Sequence, residues 1–121
     1  MGTSRKQLVF LGDTREIVHE LPAPVRHRIG RFLAVIQMGN RLVGVKALKG
    51  FSVAVDEIRV SHDREAYRAV YTVHLGDRVY LLHVFHKKSK SGIGIPPRDL
   101  ELIQRRLAKA IQMEDERNGC R

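Results

Sequence analysis

Apolar residues cluster along this chain, and their spacing changes from cluster to cluster. Lys6 to Leu11 (Lys-Gln-Leu-Val-Phe-Leu) is a short apolar run that stops at Gly12-Asp13, which predicts a strand. Asp13 or Thr14 can cap the next segment, with Glu16 near its positive end. Ile17 and Leu21 lie four residues apart, so a short helix is expected to end before Pro22. Pro24 suits the first turn of a second helix. In it Val25, Ile29, Phe32, Leu33 and Ile36 recur with helical period, opposite Arg26, His27, Arg28 and Arg31, until Gly39-Asn40 ends it. Residues 40–52 hold Gly44, Lys46, Lys49 and Gly50 and read as a loop.

Strand signals follow at 54–60, 67–75 and 78–86. Gly76-Asp77 between the last two is a tight-hairpin signature, and the polar stretch Ser61 to Ala66 links the first two. Lys87 to Pro97 carries two Gly and two Pro, hence a loop. Pro97 and Asp99 open a final helix whose buried stripe is Leu100, Ile103, Leu107, Ala110 and Ile111. From Glu114 onward the chain is polar and expected to fray. The predicted order β-α-α-β-β-β-α defines an α+β domain with a small, mostly antiparallel sheet. A single domain over residues 1–121 is expected, with its core at about 6–112. The helices should pack on one face and leave the other partly open and concave.

Alternation sorts the strand residues into faces. Glu57 and Arg59 oppose Ile58 and Val60. Arg68, Val70, Thr72 and His74 oppose Tyr67, Ala69, Tyr71 and Val73. Val79, Leu81, His83 and Phe85 should oppose Tyr80, Leu82, Val84 and His86. The first two of these strands therefore offer a polar face built from Glu57, Arg59 and Arg68, whereas the third reads as a covered, central strand. The hairpin at Gly76-Asp77 brings Arg68 to the same edge as Lys87 and Lys88.

Charge changes the picture. Lys plus Arg number 22 against 13 Asp plus Glu, so the formal charge is 22 − 13 = +9. That balance favours a nucleic acid or anionic membrane partner over an acidic small molecule. A hydrophobic content of 43 % excludes a disordered tail. The lone cysteine, Cys120, can form no internal disulfide, which points to a reducing compartment. The sequence starts without the apolar run of a signal peptide and carries no membrane-length apolar segment, so a cytoplasmic protein is expected. The histidines show no close metal-ligand spacing, and His83 and His86, three apart on a strand, point to opposite faces.

Leu-Lys-Gly at 48–50, Glu-Ile-Arg at 57–59, Tyr-Arg-Ala-Val-Tyr at 67–71 and Tyr-Leu-Leu-His-Val-Phe-His-Lys-Lys-Ser at 80–89 resemble the RelE/ParE toxin superfamily, most nearly its phage-derived HigB-like branch. The resemblance spans about residues 6–112. It implies a type II toxin that cuts mRNA at the ribosomal decoding site by attack of a 2′-hydroxyl on the adjacent phosphate, with no metal or other cofactor. It also implies a helix-turn-helix, HigA-like antitoxin as partner. Arg68 would neutralise the scissile phosphate. Lys87 and Lys88 would stabilise the transition state or protonate the leaving oxygen. Lys46, Lys49, Arg59 and Lys90 would hold RNA. Some relatives place a Tyr or an Asp-Tyr-His cluster near the C-terminus. The segment from Pro97 has neither Tyr nor His, which leaves His86 as the candidate proton carrier.

Each residue also has a plainer reading. Arg68 could pair with Glu57 across the sheet. Lys87, Lys88 and Lys90 could be a solvated loop, and His86 a hydrogen-bonded structural residue. The helix cations Arg26, Arg28, Arg31, Arg105, Arg106 and Lys109 read as solvated faces, and Tyr67 and Tyr71 as core. Two other functions stay open: ParE-like inhibition of DNA gyrase without catalysis, which the same resemblance also implies, and plain RNA binding by a basic module.

Overall fold

The computed structural model describes residues 5–88 and 94–119, so Lys90 and Cys120 lie outside it. The elements are β1 (Gln7–Phe10), α1 (Thr14–Glu20), α2 (Ala23–Gln37), β2 (Lys46–Leu48), β3 (Val55–His62), β4 (Glu65–Leu75), β5 (Arg78–Lys88) and α3 (Pro97–Gly119). They build a mixed α+β fold around one five-stranded sheet of order β1-β5-β4-β3-β2. Among the described strand pairs only β1–β5 is parallel. The short strand β2 falls where the sequence reads as a loop. It pairs Lys46 with Glu57 and Leu48 with Val55 at the sheet edge.

Helices cover both faces of the sheet, which corrects the expectation of one covered and one open face. Val25, Ile29, Leu33 and Ile36 of α2 pack with Ile58, Val60, Tyr67, Ala69 and Tyr71. Ile103, Leu107 and Ala110 of α3 pack with Val70, Tyr80 and Leu82 on the other side. The physical reason is β5. Its Tyr80 and Leu82 are fully buried and need apolar cover on the face away from α2, and the α3 stripe supplies it. The cover is incomplete towards β3 and β2, and there the polar residues of the sheet lie.

Strict alternation fails once on β5. Val70 pairs with His83 but Tyr71 pairs with Leu81, so β5 carries one extra residue at this bulge. His83 therefore joins Tyr80 and Leu82 on the α3 face, and Val84 joins Val79 and Leu81 on the α2 face. A second bulge between Thr72 and Leu75 precedes the Gly76 turn.

Nor does the polar end of the chain fray at Glu114. Helix α3 continues to Gly119 because Glu114 is buried and held. Its carboxylate accepts hydrogen bonds from the Tyr80 hydroxyl and, at 2.9 Å, from Arg117. Arg106 is no solvated residue either. It donates to the Leu82 carbonyl at 3.0 Å and to Asp13 at 2.8 Å, which fastens α3 to β5 and to the β1–α1 turn. Arg26 likewise turns inward and donates to the Leu21 carbonyl at 3.2 Å, at the end of α1.

Candidate functional site

Cross-strand register places the functional candidates in rows on the α3 face, one strand spacing apart. One row runs Lys46, Glu57, Val70 and His83 across β2, β3, β4 and β5. The next runs Arg59, Arg68 and Phe85, and beyond it Ser61 pairs with Ala66, whose backbone partner on β5 is Lys87. Alternation put Glu57, Arg59 and Arg68 on one face, and the structure brings them together. Hairpin geometry put Arg68 and the lysines at one edge, and the register agrees: Arg68 pairs with Phe85, two residues before Lys87.

Glu57 organises the centre. Its side chain is fully buried, and its Oε1 accepts a 2.8 Å hydrogen bond from Arg59 Nε. Its Oε2 lies 3.8 Å from Arg68 Nη1. Two guanidiniums facing each other on paired strands would repel, and a carboxylate between them offsets that repulsion. The pairing of Arg68 with Glu57 is thus present, but as a buried ion pair and not a surface one. The Arg68 guanidinium also lies over the Phe85 ring at 5.8 Å, and Phe85 stacks on His83 at 4.9 Å. Arg68 is only 5 % exposed and lies at the floor of this face. Arg59, with 46 % of its side chain exposed, is the guanidinium that reaches solvent.

Beside this row, between β2 and the start of α3, lies a hollow of about 290 Å³. Lys46, Lys49 and Arg59 line it together with Leu48, Phe51, Ile95 and Leu100. Lys46 and Lys49 are exposed, whereas the apolar residues are half-buried. The left-handed backbone at Gly50 (φ +92°) turns the chain between Lys49 and Phe51.

His86 is not part of this arrangement. It pairs with Tyr67, whose side chain belongs to the α2-side core. There it hydrogen-bonds Glu65 and stacks on the Tyr67 ring at 5.0 Å. Burial, helped by the charges of Glu65 and Asp63, pushes the Tyr67 phenol above its ordinary value, so that ring is no base near neutral pH. The imidazole on the Arg68 face is His83, which the reading of the residues considered only as a metal ligand. Its Nε2 lies 2.7 Å from Asp99 and its Nδ1 3.4 Å from Arg106. The hairpin register already puts it there: Leu75 opposite Arg78 and Val70 opposite His83 follow one register, because the two bulges between them offset each other.

This is a small basic α+β domain that gathers cations around a buried carboxylate on one sheet face. The chain belongs to the family described as phage derived protein Gp49-like (DUF891), whose model matches residues 16–108, and that family is associated with RelE-like toxins of toxin–antitoxin systems. The matched span includes Lys46, Lys49, Glu57, Arg59, Arg68, Lys87 and Lys88. No curated protein and no solved structure matches the chain. Among the described residues no helix is long and apolar enough to cross a membrane.

Proposed function

We propose that this protein is the toxin of a type II toxin–antitoxin pair, of the RelE/ParE superfamily and its HigB-like branch, and that it cuts mRNA on the ribosome. The observation that carries the reading is the Arg59–Arg68 pair, registered across β3 and β4 and held by the buried Glu57. Forked donors on a rigid sheet suit a phosphodiester, because each guanidinium can bond two oxygens at once.

In the proposed reaction the ribose 2′-oxygen attacks the adjacent phosphorus and the bond from phosphorus to the 5′-oxygen breaks. The products are a 2′,3′-cyclic phosphate and a 5′-hydroxyl. The 2′-hydroxyl gives up its proton and the departing 5′-oxygen gains one. Negative charge grows on the non-bridging oxygens, where fixed cations act most strongly. Arg59 and Arg68 are assigned to that charge, with Lys87 and Lys88 at the adjoining strand end. Lys46 and Lys49 are assigned to the flanking backbone. His86 is left out of the site because it lies on the opposite face. His83 shares Arg68's face, but both its ring nitrogens are engaged, and it is assigned no proton transfer. The partners that follow are the ribosome with its mRNA and a helix-turn-helix, HigA-like antitoxin.

The chemistry of the cut ends tests this reading. Fragments made by the purified protein on translating ribosomes are expected to carry 5′-hydroxyls and 2′,3′-cyclic phosphates. Ends with 5′-phosphates would sink the mechanism. Intact mRNA together with blocked DNA supercoiling would favour a ParE-like inhibitor instead.

A further inference from the structure

We infer that the hollow between β2 and the start of α3 is a pocket for one unpaired nucleobase of the bound strand. The inference rests on reading Lys46, Lys49 and Arg59 as phosphate contacts, and it adds a base site to what would otherwise be a backbone clamp.

Size, lining and position support it. The volume, about 290 Å³, lies near the lower end of small-ligand cavities, which run from roughly 300 Å³ upward. That suits a single flat ring system better than a larger ligand. The walls divide by chemistry: Ala47, Leu48, Phe51, Ile95 and Leu100 are apolar, and among the described residues all the charged lining is cationic. The nearest carboxylate in the row, Glu57, is buried beneath Arg59 and bonded to it. A nucleotide has the same division, an apolar ring face joined through a sugar to an anionic phosphate. An apolar peptide side chain would leave three cations unused. A small acidic molecule would leave the apolar walls unused.

Phe51 provides the aromatic surface. Stacking on such a ring accepts every base, since all have a π face. The pocket therefore adds affinity and placement without selecting one base by hydrogen bonds. Arg59 belongs both to the pocket and to the row that contains Arg68. A base held here would lie next to a phosphate contacted by the Arg59–Arg68 pair.

The test is equilibrium binding of a short 2′-deoxy single strand, which the protein cannot cleave, against the same strand with one central abasic residue. The wild-type protein is expected to bind the intact strand about tenfold more tightly, the effect of one stacked base. Phe51→Tyr should keep that ratio, whereas Phe51→Ala and Phe51→Leu should bring it close to one. Phe51→Leu retains the apolar volume and carries the test if Phe51→Ala does not fold. Lys46→Ala/Lys49→Ala should weaken both strands alike and preserve the ratio.

Equal binding of the two strands by the wild type would overturn the pocket, as would a ratio that survives in Phe51→Leu. If neither strand binds and Phe51→Leu instead releases a protein partner, the hollow is a peptide site and the inference is wrong. Because the strand cannot be cut, failure of ribonuclease activity would leave these outcomes unaffected.

Discussion

Glu57 is the residue on which the cation row depends. Its side chain is closed to solvent, one oxygen bonds Arg59, and the other faces Arg68. Removing its charge would leave a nearly buried guanidinium without its carboxylate. Glu57→Gln is expected to lower folding stability by about 2 kcal/mol, the scale of a hydrogen bond to a charged group, as read by urea denaturation. The same variant should impair RNA cleavage more than Arg26→Ala does, because Arg26 caps α1 away from the row. Much of this was legible in the residues. Alternation alone puts Glu57, Arg59 and Arg68 on one face. What could not be read was the bulge on β5, which adds one residue to one strand and leaves no mark in composition. Together with the bulge before the turn, it puts Tyr80 and Leu82, in place of Val79 and Leu81, on the face that Arg68 shares with His83.

At the scale of elements, α3 decides how much of that face stays open. It is fastened along its length by polar contacts that a hydrophobic pattern does not reveal: Asp99 to His83, Arg106 to Asp13 and Leu82, and Glu114 to Tyr80. This is why the helix outruns its apolar stripe. The β1–α1 turn is shaped to receive Arg106. Gly12 adopts φ +57°, and a Cβ added there would meet the Arg106 guanidinium at 2.5 Å. Gly12→Ala combines left-handed backbone strain with that collision, and is expected to cost about 2 kcal/mol and to lower the melting temperature measurably. An unchanged melting temperature would mean that the Arg106 clasp contributes little. The short strand β2 was hidden for another reason. It has three residues, mostly exposed, between glycine-containing segments, and takes its conformation from pairing with β3.

For the whole molecule, the net charge of +9 matters only where it is concentrated. If Lys46, Lys49, Arg59 and Arg68 all meet phosphates, binding to single-stranded RNA should fall with salt. The log–log slope should be roughly −3, at about −0.7 for each neutralised phosphate. Lys46→Ala/Lys49→Ala should make that slope shallower by about 1.4. A slope unchanged by the double substitution would show that these lysines are solvated bystanders.

The fold itself has an alkaline limit. Burial, with the charge of Asp56, pushes the Tyr71 phenol from 10.0 up to about 12. Burial and the bond to Glu114 raise Tyr80 as well. Both rings are therefore held neutral in the folded state. Their contribution to stability is complete below pH 10 and is lost as the pH climbs from 10 towards 12. Circular dichroism should show unfolding in that window, displaced to higher pH in Tyr71→Phe.

In the proposed reaction the Arg59–Arg68 pair acts on a phosphodiester of ribosome-bound mRNA. This role is tested most directly by mapping 5′ ends on one mRNA in a purified translation reaction, with wild-type protein, Arg68→Ala and Arg59→Ala. Discrete cuts are expected with the wild type, reduced about 10²–10³-fold in Arg68→Ala, the scale of losing one fixed transition-state contact, and weakened in Arg59→Ala. Cuts of undiminished intensity in both folded variants would contradict it.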